Sequence, residues 1–273
     1  MELQAYALSI LTEPSLAARL APPPPDLSDA APGEAIRILE PVRPPRLHMQ
    51  SGRRLPKMPS REALKDPMKR AFCLHRFANH ELMAVEIMAF ALLAWPDMPK
   101  AFRRGILKTL HDEQRHLRLY IERMSDLGME FGSQALNDHF WRSVPHWTSP
   151  LHYLATMALM FENANLDHAK DFAQRFESVG DETTARLMLE IQRDEIRHVA
   201  FGAEWFRRLK DPKLSTWAAF EQALHFPDAP NRARGPLFDR QAREAAHLDP
   251  DFIDRLEALT PGIRAPRRRT QPD

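Results

Sequence analysis

The sequence predicts an all-α protein built on a bundle of four long helices, and three observations carry that expectation. Glycine is scarce (9 in 273 residues), Pro is plentiful (24), and Val, Ile and Thr seldom cluster, so long strands lack both their residues and their tight turns. Four segments repeat apolar residues at steps of three and four, the period of a helix with one buried face. Each is bracketed by cap and stop residues. With 44% hydrophobic residues the chain can form a sizeable core.

Along the chain, Met1 to Leu20 has no positively charged stretch before its short apolar run, which argues against a secretory signal. Pro22 to Pro25, Pro32, Pro41, Pro44, Pro45, Pro56 and Pro59 then exclude helix over residues 21 to 60 and favour extended chain. This arm is expected to wrap the domain or stay mobile, and Arg53, Arg54 and Lys57 near its end read as a solvated surface. The first long helix starts at the Asp66–Pro67 cap and stops at Trp95 before Pro96. A second runs from about Pro99 to Leu127, ended by Gly128. After a connection of about twenty residues, Met129 to Thr148, the third begins at Ser149–Pro150 and ends near Val179 with Gly180 as its stop. The fourth spans Asp181 to about Leu209, ahead of Pro212. Two tight pairs joined by one long connection differ from an up-down-up-down bundle. Short helical pieces follow around Thr216–His225, Phe238–His247 and Asp251–Leu259, then a basic tail with Arg267, Arg268 and Arg269. The organisation is an arm (1–65), a bundle (66–210) and a C-terminal extension (211–273).

Composition narrows the function classes. Lys plus Arg (38) nearly balances Asp plus Glu (37), so no global field draws the protein to nucleic acid or a membrane. One cysteine, Cys73, excludes an internal disulfide framework and a Cys-x-x-Cys metal knuckle. It reads as a small core residue in a reducing, cytoplasmic setting. The longest apolar run, Met83 to Trp95, contains Glu86 and falls short of a membrane span; Glu86 reads as a salt-bridging residue.

Two strings share the pattern D-E-x-R-H: Asp112-Glu113-Gln114-Arg115-His116 and Asp194-Glu195-Ile196-Arg197-His198. Residues three apart on a helix share a face, so each copy aims a carboxylate and an imidazole at one point. Both pairs fall inside the apolar seam. The fourth helix runs Met188, Ile191, Glu195, His198, Gly202, Trp205, Leu209, and the second Phe102, Ile106, Thr109, Glu113, His116, Tyr120, Met124, Leu127. The first helix adds Glu81 between Phe77 and Val85, and the third adds Glu162 between Ala158 and Asn165. Each helix thus places a Glu where a core residue belongs. Four ionised carboxylates in a core cost several kcal/mol each unless paired, and the seams hold no Lys or Arg. Two metal ions would supply the missing charge.

Hairpin geometry gives an independent check, since facing residues lie equally far from the turn. Glu81 and Glu113 centre on position 97, between Pro96 and Pro99, and Glu162 and Glu195 centre next to Gly180. Six ligands, Glu81, Glu113, His116, Glu162, Glu195 and His198, therefore converge as one Glu from each of two helices and a Glu-x-x-His from each of two others. Iron or manganese suits such oxygen and nitrogen ligation. Glu113 and Glu195 are expected to bridge, with Glu81 and His116, and Glu162 and His198, mostly terminal. Asp112 with Arg115, and Asp194 with Arg197, are candidates to orient the ligands from behind, against the simpler reading of surface ion pairs. Tyr120, one turn beyond His116, is a candidate relay for electrons or protons, weighed against a core Tyr with a satisfied hydroxyl. His80, His111 and His168 sit off the seams and read as hydrogen-bonded or exposed.

The spacing and the doubled D-E-x-R-H resemble the ferritin-like di-iron carboxylate proteins over about residues 66 to 209. More specifically, His80-Glu81-Leu82, the two D-E-x-R-H strings, Leu166-Asp167 after Glu162, the stretch Asp194 to Phe206 and the Pro-rich arm are similar to the bacterial family called domain of unknown function 455. That family reads like Ala-Arg-Gly-Leu-Asp after the third-helix Glu, whereas this chain has Asn163-Ala164-Asn165-Leu166-Asp167. Asn165 points into the site region, and the departure leaves the ligands untouched. The resemblance implies a ferritin-like bundle with a dinuclear iron, or Fe/Mn, centre. Its leading function is O2 activation to hydroxylate or oxidise a small organic molecule, with an external electron donor; a homo-oligomer is compatible with it. Alternatives are a ferroxidase or peroxidase in iron or oxidative-stress handling, and a metal-stabilised scaffold without activity.

Overall fold

The computed structural model describes residues 1–51 and 56–262. Arg53, Arg54 and the basic tail Arg267 to Arg269 lie outside the described residues, and Lys57 is exposed as expected. The protein is all-helical, with 64% helix and no strand among the described residues. By internal contacts the chain forms two compact units: residues 1–145 with 174–187, and residues 146–173 with 188–273.

The first unit is built on α3 (Pro67–Ala94) and α4 (Lys100–Asp126), which carry the first two long helices of the sequence reading. The Asp66 side chain accepts from the Met68 N–H and Pro67 occupies the first turn, so the helix starts where its cap places it. α4 ends on Gly128 at φ 84°, with the Gly128 N–H on Ser125 and the Met129 N–H reaching back to Met124. Only a residue without Cβ takes that left-handed turn at no cost. α3 is long and apolar enough to cross a bilayer, but 89% of its most apolar window is buried inside the protein. It is the central core helix.

Two helices precede it that the sequence reading did not place: α1 (Leu3–Thr12) and α2 (Leu16–Leu20). Their apolar residues Leu3, Tyr6, Ala7, Ile10 and Leu11 step at helical spacing and are buried, and Ser15 caps α2 through the Ala18 N–H. From Ala21 to Pro44 there is no helix, as the prolines dictate, and a 3-10 turn follows at Pro45–Leu47. The arm wraps α3 and α4. Arg19 Nε donates to Glu86 at 3.2 Å, Arg43 Nε donates to the same carboxylate at 2.9 Å, and Trp141 Nε1 adds a third bond at 3.2 Å. Gln114 on α4 donates to the carbonyls of Arg19 and Ala21, and Arg103 pairs with Asp29. Glu86, Arg19 and Gln114 are all 0% exposed.

A second anchor ties the long connection to α3. His75 Nε2 accepts from the backbone N–H groups of Gly132 at 3.0 Å and Gln134 at 3.4 Å, so its neutral form is required. Burial pushes its imidazole down to about 4. At the far end of the unit, Asp181 caps the next long helix through the Thr184 N–H and pairs with Arg70 and Arg123. Those contacts hold its carboxyl below the usual range despite burial.

The second unit begins with α5 (Pro150–Thr156), continues through a π-helical turn at Met157–Glu162 and runs on as α6 (Asn163–Glu177). Ser149 stands at the cap position without a side-chain bond, and Pro150 opens the helix. Gly180 at φ 80° stops α6, with the Asp181 N–H on the Phe176 carbonyl. α7 (Glu182–Leu209) runs from the first unit into the second. α8 (Thr216–Ala223), α9 (Arg240–Ala245) and α10 (Pro250–Glu257) realise the three short pieces read from the sequence. α8 and α10 pack through Trp217, Phe220 and Phe252, with ring centroids 5.1–5.8 Å apart. α9 locks onto α6 through Arg243, which pairs with Asp167 at 2.6 and 2.9 Å; Asp167 also accepts from the Gly235 and Asp239 N–H groups.

Glu86→Ala would leave two guanidinium groups buried without their acceptor, a loss of about 3–5 kcal/mol. Urea unfolding at pH 7 measures it, and a loss below about 1 kcal/mol would show that the arm is not held by this triad. His75 makes a pH-dependent contribution. Its folded value lies below its unfolded value, so its stabilisation is complete above pH ~6.5 and is lost as pH falls towards 4, on the order of 3 kcal/mol. The stability gap between wild type and His75→Gln should therefore narrow across that window; a constant gap would refute it.

Candidate metal centre

Each unit gathers three of the six residues singled out in the sequence. In the first, α3 contributes Glu81 and α4 contributes Glu113 and His116, and one ligand atom from each lies within 4.8 Å of the others. The level placement expected from the turn at Pro96 is met in this hairpin. His116 Nδ1 lies 3.3 Å from Glu113 Oε2. In the second unit Glu162 closes the π turn and α7 contributes Glu195 and His198; ligand atoms of Glu162 and His198 lie within 4.8 Å. His198 Nδ1 lies 3.6 Å from Glu195 Oε2. In both D-E-x-R-H copies the imidazole Nδ1 faces the carboxylate of its own Glu, within hydrogen-bond distance only in the first.

All six residues are buried, from 0% exposure at His116 to 8% at Glu162. Their seam neighbours Ile106, Met124, Val85, Ile191 and Phe172 are buried with them, so water does not screen the carboxylates. Glu195 Oε1 accepts from Asn165 Nδ2 at 2.8 Å, and Oε2, 3.6 Å from His198 Nδ1, has no hydrogen-bond donor among the described residues. A buried carboxylate oxygen without a donor is satisfied by a proton, a water molecule or a cation. An imidazole nitrogen facing a carboxylate oxygen likewise needs a proton or a cation between the two lone pairs. Carboxylates plus imidazoles, without thiolate, form the donor set of a hard-to-borderline divalent metal. The residues present fit a metal ion.

The surrounding candidates separate. Asp194 is buried and pairs with the half-exposed Arg197, so this couple reaches inward at one end and solvent at the other. Asp112 and Arg115 are both half-buried on α4. Tyr120 is buried, its ring 5.7 Å from Phe77. His111 and His168 are exposed and His80 is half-buried, as read. Cys73 is a core residue whose thiol burial pushes up to about 12, an unreactive group.

Three positioning features escaped the sequence reading. Gly202 on α7 allows α7 to approach the π turn: a Cβ there would meet the Ala158 Cβ at 2.0 Å. The π turn itself has no composition signal, although such turns recur at functional sites. The Asp167–Arg243 clamp begins five residues beyond Glu162 in the chain, and Arg243 Nη2 also donates to the Asn163 carbonyl at 3.2 Å.

Fold and site together define a helical protein in which paired Glu-x-x-His helices present buried carboxylates and imidazoles that could hold a metal ion. The chain belongs to the family described as "Protein of unknown function (DUF455)", whose model matches residues 11–254. It is also similar to an "Uncharacterized protein" of Haemophilus influenzae, 24% identical over 187 residues, covering 62% of this chain and 65% of that relative. No solved structure matches it.

Gly202→Ala should cost about 1–3 kcal/mol through overpacking against Ala158. Adding Ala158→Gly should recover part of the loss in a thermal-unfolding double-mutant cycle. Strict additivity would show that the two helices do not meet at these residues.

Proposed function

We propose that the four long helical runs form a ferritin-like bundle, with 129–148 as its one long connection, in which Glu81, Glu113, His116, Glu162, Glu195 and His198 hold two metal ions. Iron is the first choice, with a mixed Fe/Mn pair next. The observation that carries this reading is the burial of all six residues, with ligand atoms of Glu81, Glu113 and His116 gathered within 4.8 Å, those of Glu162 and His198 likewise, and a donorless carboxylate oxygen on Glu195. Four buried carboxylates balance the charge of two divalent cations, and the helices that carry Glu162 and Glu195 are continuous with the first unit through residues 174–187. The equal spacing of the ligands about the two turns supports it independently.

Such a pair, when bound and reduced, supplies the chemistry to activate O2 and to hydroxylate or oxidise a small organic substrate. The chain's own part is binding and exclusion of water. Apolar seams above and below the triads keep the carboxylates dry, and Asp194 and Asp112, next to the Glu of each repeat, are placed to orient the neighbouring imidazoles from outside. Tyr120, buried one turn beyond His116, is the side chain suited to pass an electron or a proton towards the ligands from an external donor. The near-neutral net charge offers no nucleic-acid footprint.

Metal analysis of protein purified from its native host tests the reading. Two iron, or one iron and one manganese, per chain is expected, falling to one or none in Glu113→Ala and Glu195→Ala while the far-ultraviolet circular dichroism stays helical. Full loading of both variants would remove the site. Reduced wild-type protein should consume O2 faster than the same iron free in buffer; no excess uptake with O2 or peroxide would instead make the metals structural.

A further inference from the structure

The two copies of D-E-x-R-H are identical in sequence pattern, but the carboxylate of the second is not left equivalent to that of the first. Glu195 is 2% exposed, and its two oxygens have different surroundings. Oε1 accepts a hydrogen bond from Asn165 Nδ2 at 2.8 Å, whereas Oε2 lies 3.6 Å from His198 Nδ1 and has no hydrogen-bond donor among the described residues. Asn165 stands on α6 three residues after Glu162, so one helix face carries both a candidate ligand and the amide that holds another.

We propose that Asn165 is a positioning residue that holds Glu195 Oε1 and restrains Glu195 to offer a metal ion through Oε2, so that the two Glu-x-x-His pairs are unequal ligands and the dinuclear centre is asymmetric. This rests on the metal reading above. Two physical effects act in the same direction. A charge-assisted amide bond draws electron density from Oε1 and weakens it as a donor to a second cation. It also fixes the plane of the carboxylate, which otherwise rotates freely about its last torsion, so that Oε2 and His198 Nδ1 address one point. Asn165 is half-buried, and no other polar contact of its amide competes with Glu195 among the described residues. The amide orientation follows from the chemistry of the pair, because its oxygen against a carboxylate oxygen would repel.

Manganese titration of metal-free protein tests the proposal, with wild type, Asn165→Ala and Asn165→Asp compared. Asn165→Ala removes the donor; Asn165→Asp keeps the shape and presents only acceptors. Thermal unfolding of the metal-free forms provides the folding control. Wild type should bind two Mn(II) per chain in two distinguishable steps. Both variants should weaken one step by about 10–100-fold and alter the electron paramagnetic resonance of the manganese pair, because freeing Oε1 changes how the ions are bridged. That spectral change is not expected from a loss of packing alone. If all three proteins bind two ions with equal affinities and identical spectra, Asn165 has no positioning role and the metal site stands. If wild type binds no manganese or iron at all, the site reading falls and this inference with it.

Discussion

An ionised carboxylate inside a helical core costs several kcal/mol unless something of opposite charge is brought to it, and this constraint organises the protein. The buried acids divide into two kinds. Glu86 and Asp167 are neutralised by arginines: Glu86 by Arg19 and Arg43 from the N-terminal arm, Asp167 by Arg243 from the C-terminal extension. Glu113 and Glu195 have an imidazole from their own helix as neighbour. The first kind explains why the long helices carry extensions at both ends. The second kind belongs to the groups that could hold a metal ion.

Much of this was legible in the sequence because it depends on periodicity. The four seams, the Asp66–Pro67 and Ser149–Pro150 starts and the Gly128 and Gly180 stops are local signals, and the helix limits fall within a few residues of them. A Glu or His inside an apolar seam is visible for the same reason. What escaped is set by contacts distant in sequence. Nothing near Glu86 announces Arg19 and Arg43, which reach it from 67 and 43 residues away. Gln114 looked like the variable position of the first D-E-x-R-H, yet it is fully buried and clasps the carbonyls of Arg19 and Ala21. The two N-terminal helices had readable periodicity but a weak start, since Glu2 gives α1 no side-chain cap.

The π turn shows the limit most clearly, because it is a choice of hydrogen-bond register that residue types do not encode. At its C-terminal end the Asn163 N–H bonds to Ala158, one residue further back than an α-helix requires. The Leu159 carbonyl, which an α-helical register would give to that N–H, instead accepts from the Asn163 side-chain amide at 3.2 Å. The Asn163 side-chain amide therefore supplies a donor to the acceptor that its backbone N–H does not take, while its own Oδ1, in a residue 0% exposed, has no donor among the described residues. Its own carbonyl is taken by Arg243. The turn that carries Glu162 is thus closed on one side by an amide and on the other by the clamp from α9.

This arrangement links the extension to the site by a short physical path. Arg243 is held by Asp167, Asp167 by the Gly235 and Asp239 N–H groups, and Arg243 in turn holds the first α-helical residue after Glu162. Gly202, by admitting Ala158, sets how near α7 lies to the same turn. Glu162 is consequently fixed by residues that are not ligands and that lie on three other segments of the second unit. A carboxylate positioned this closely has little freedom to adapt its geometry to whatever it faces. Were a metal ion held there, its selectivity would be a property of the supporting helices as much as of the six candidate ligands.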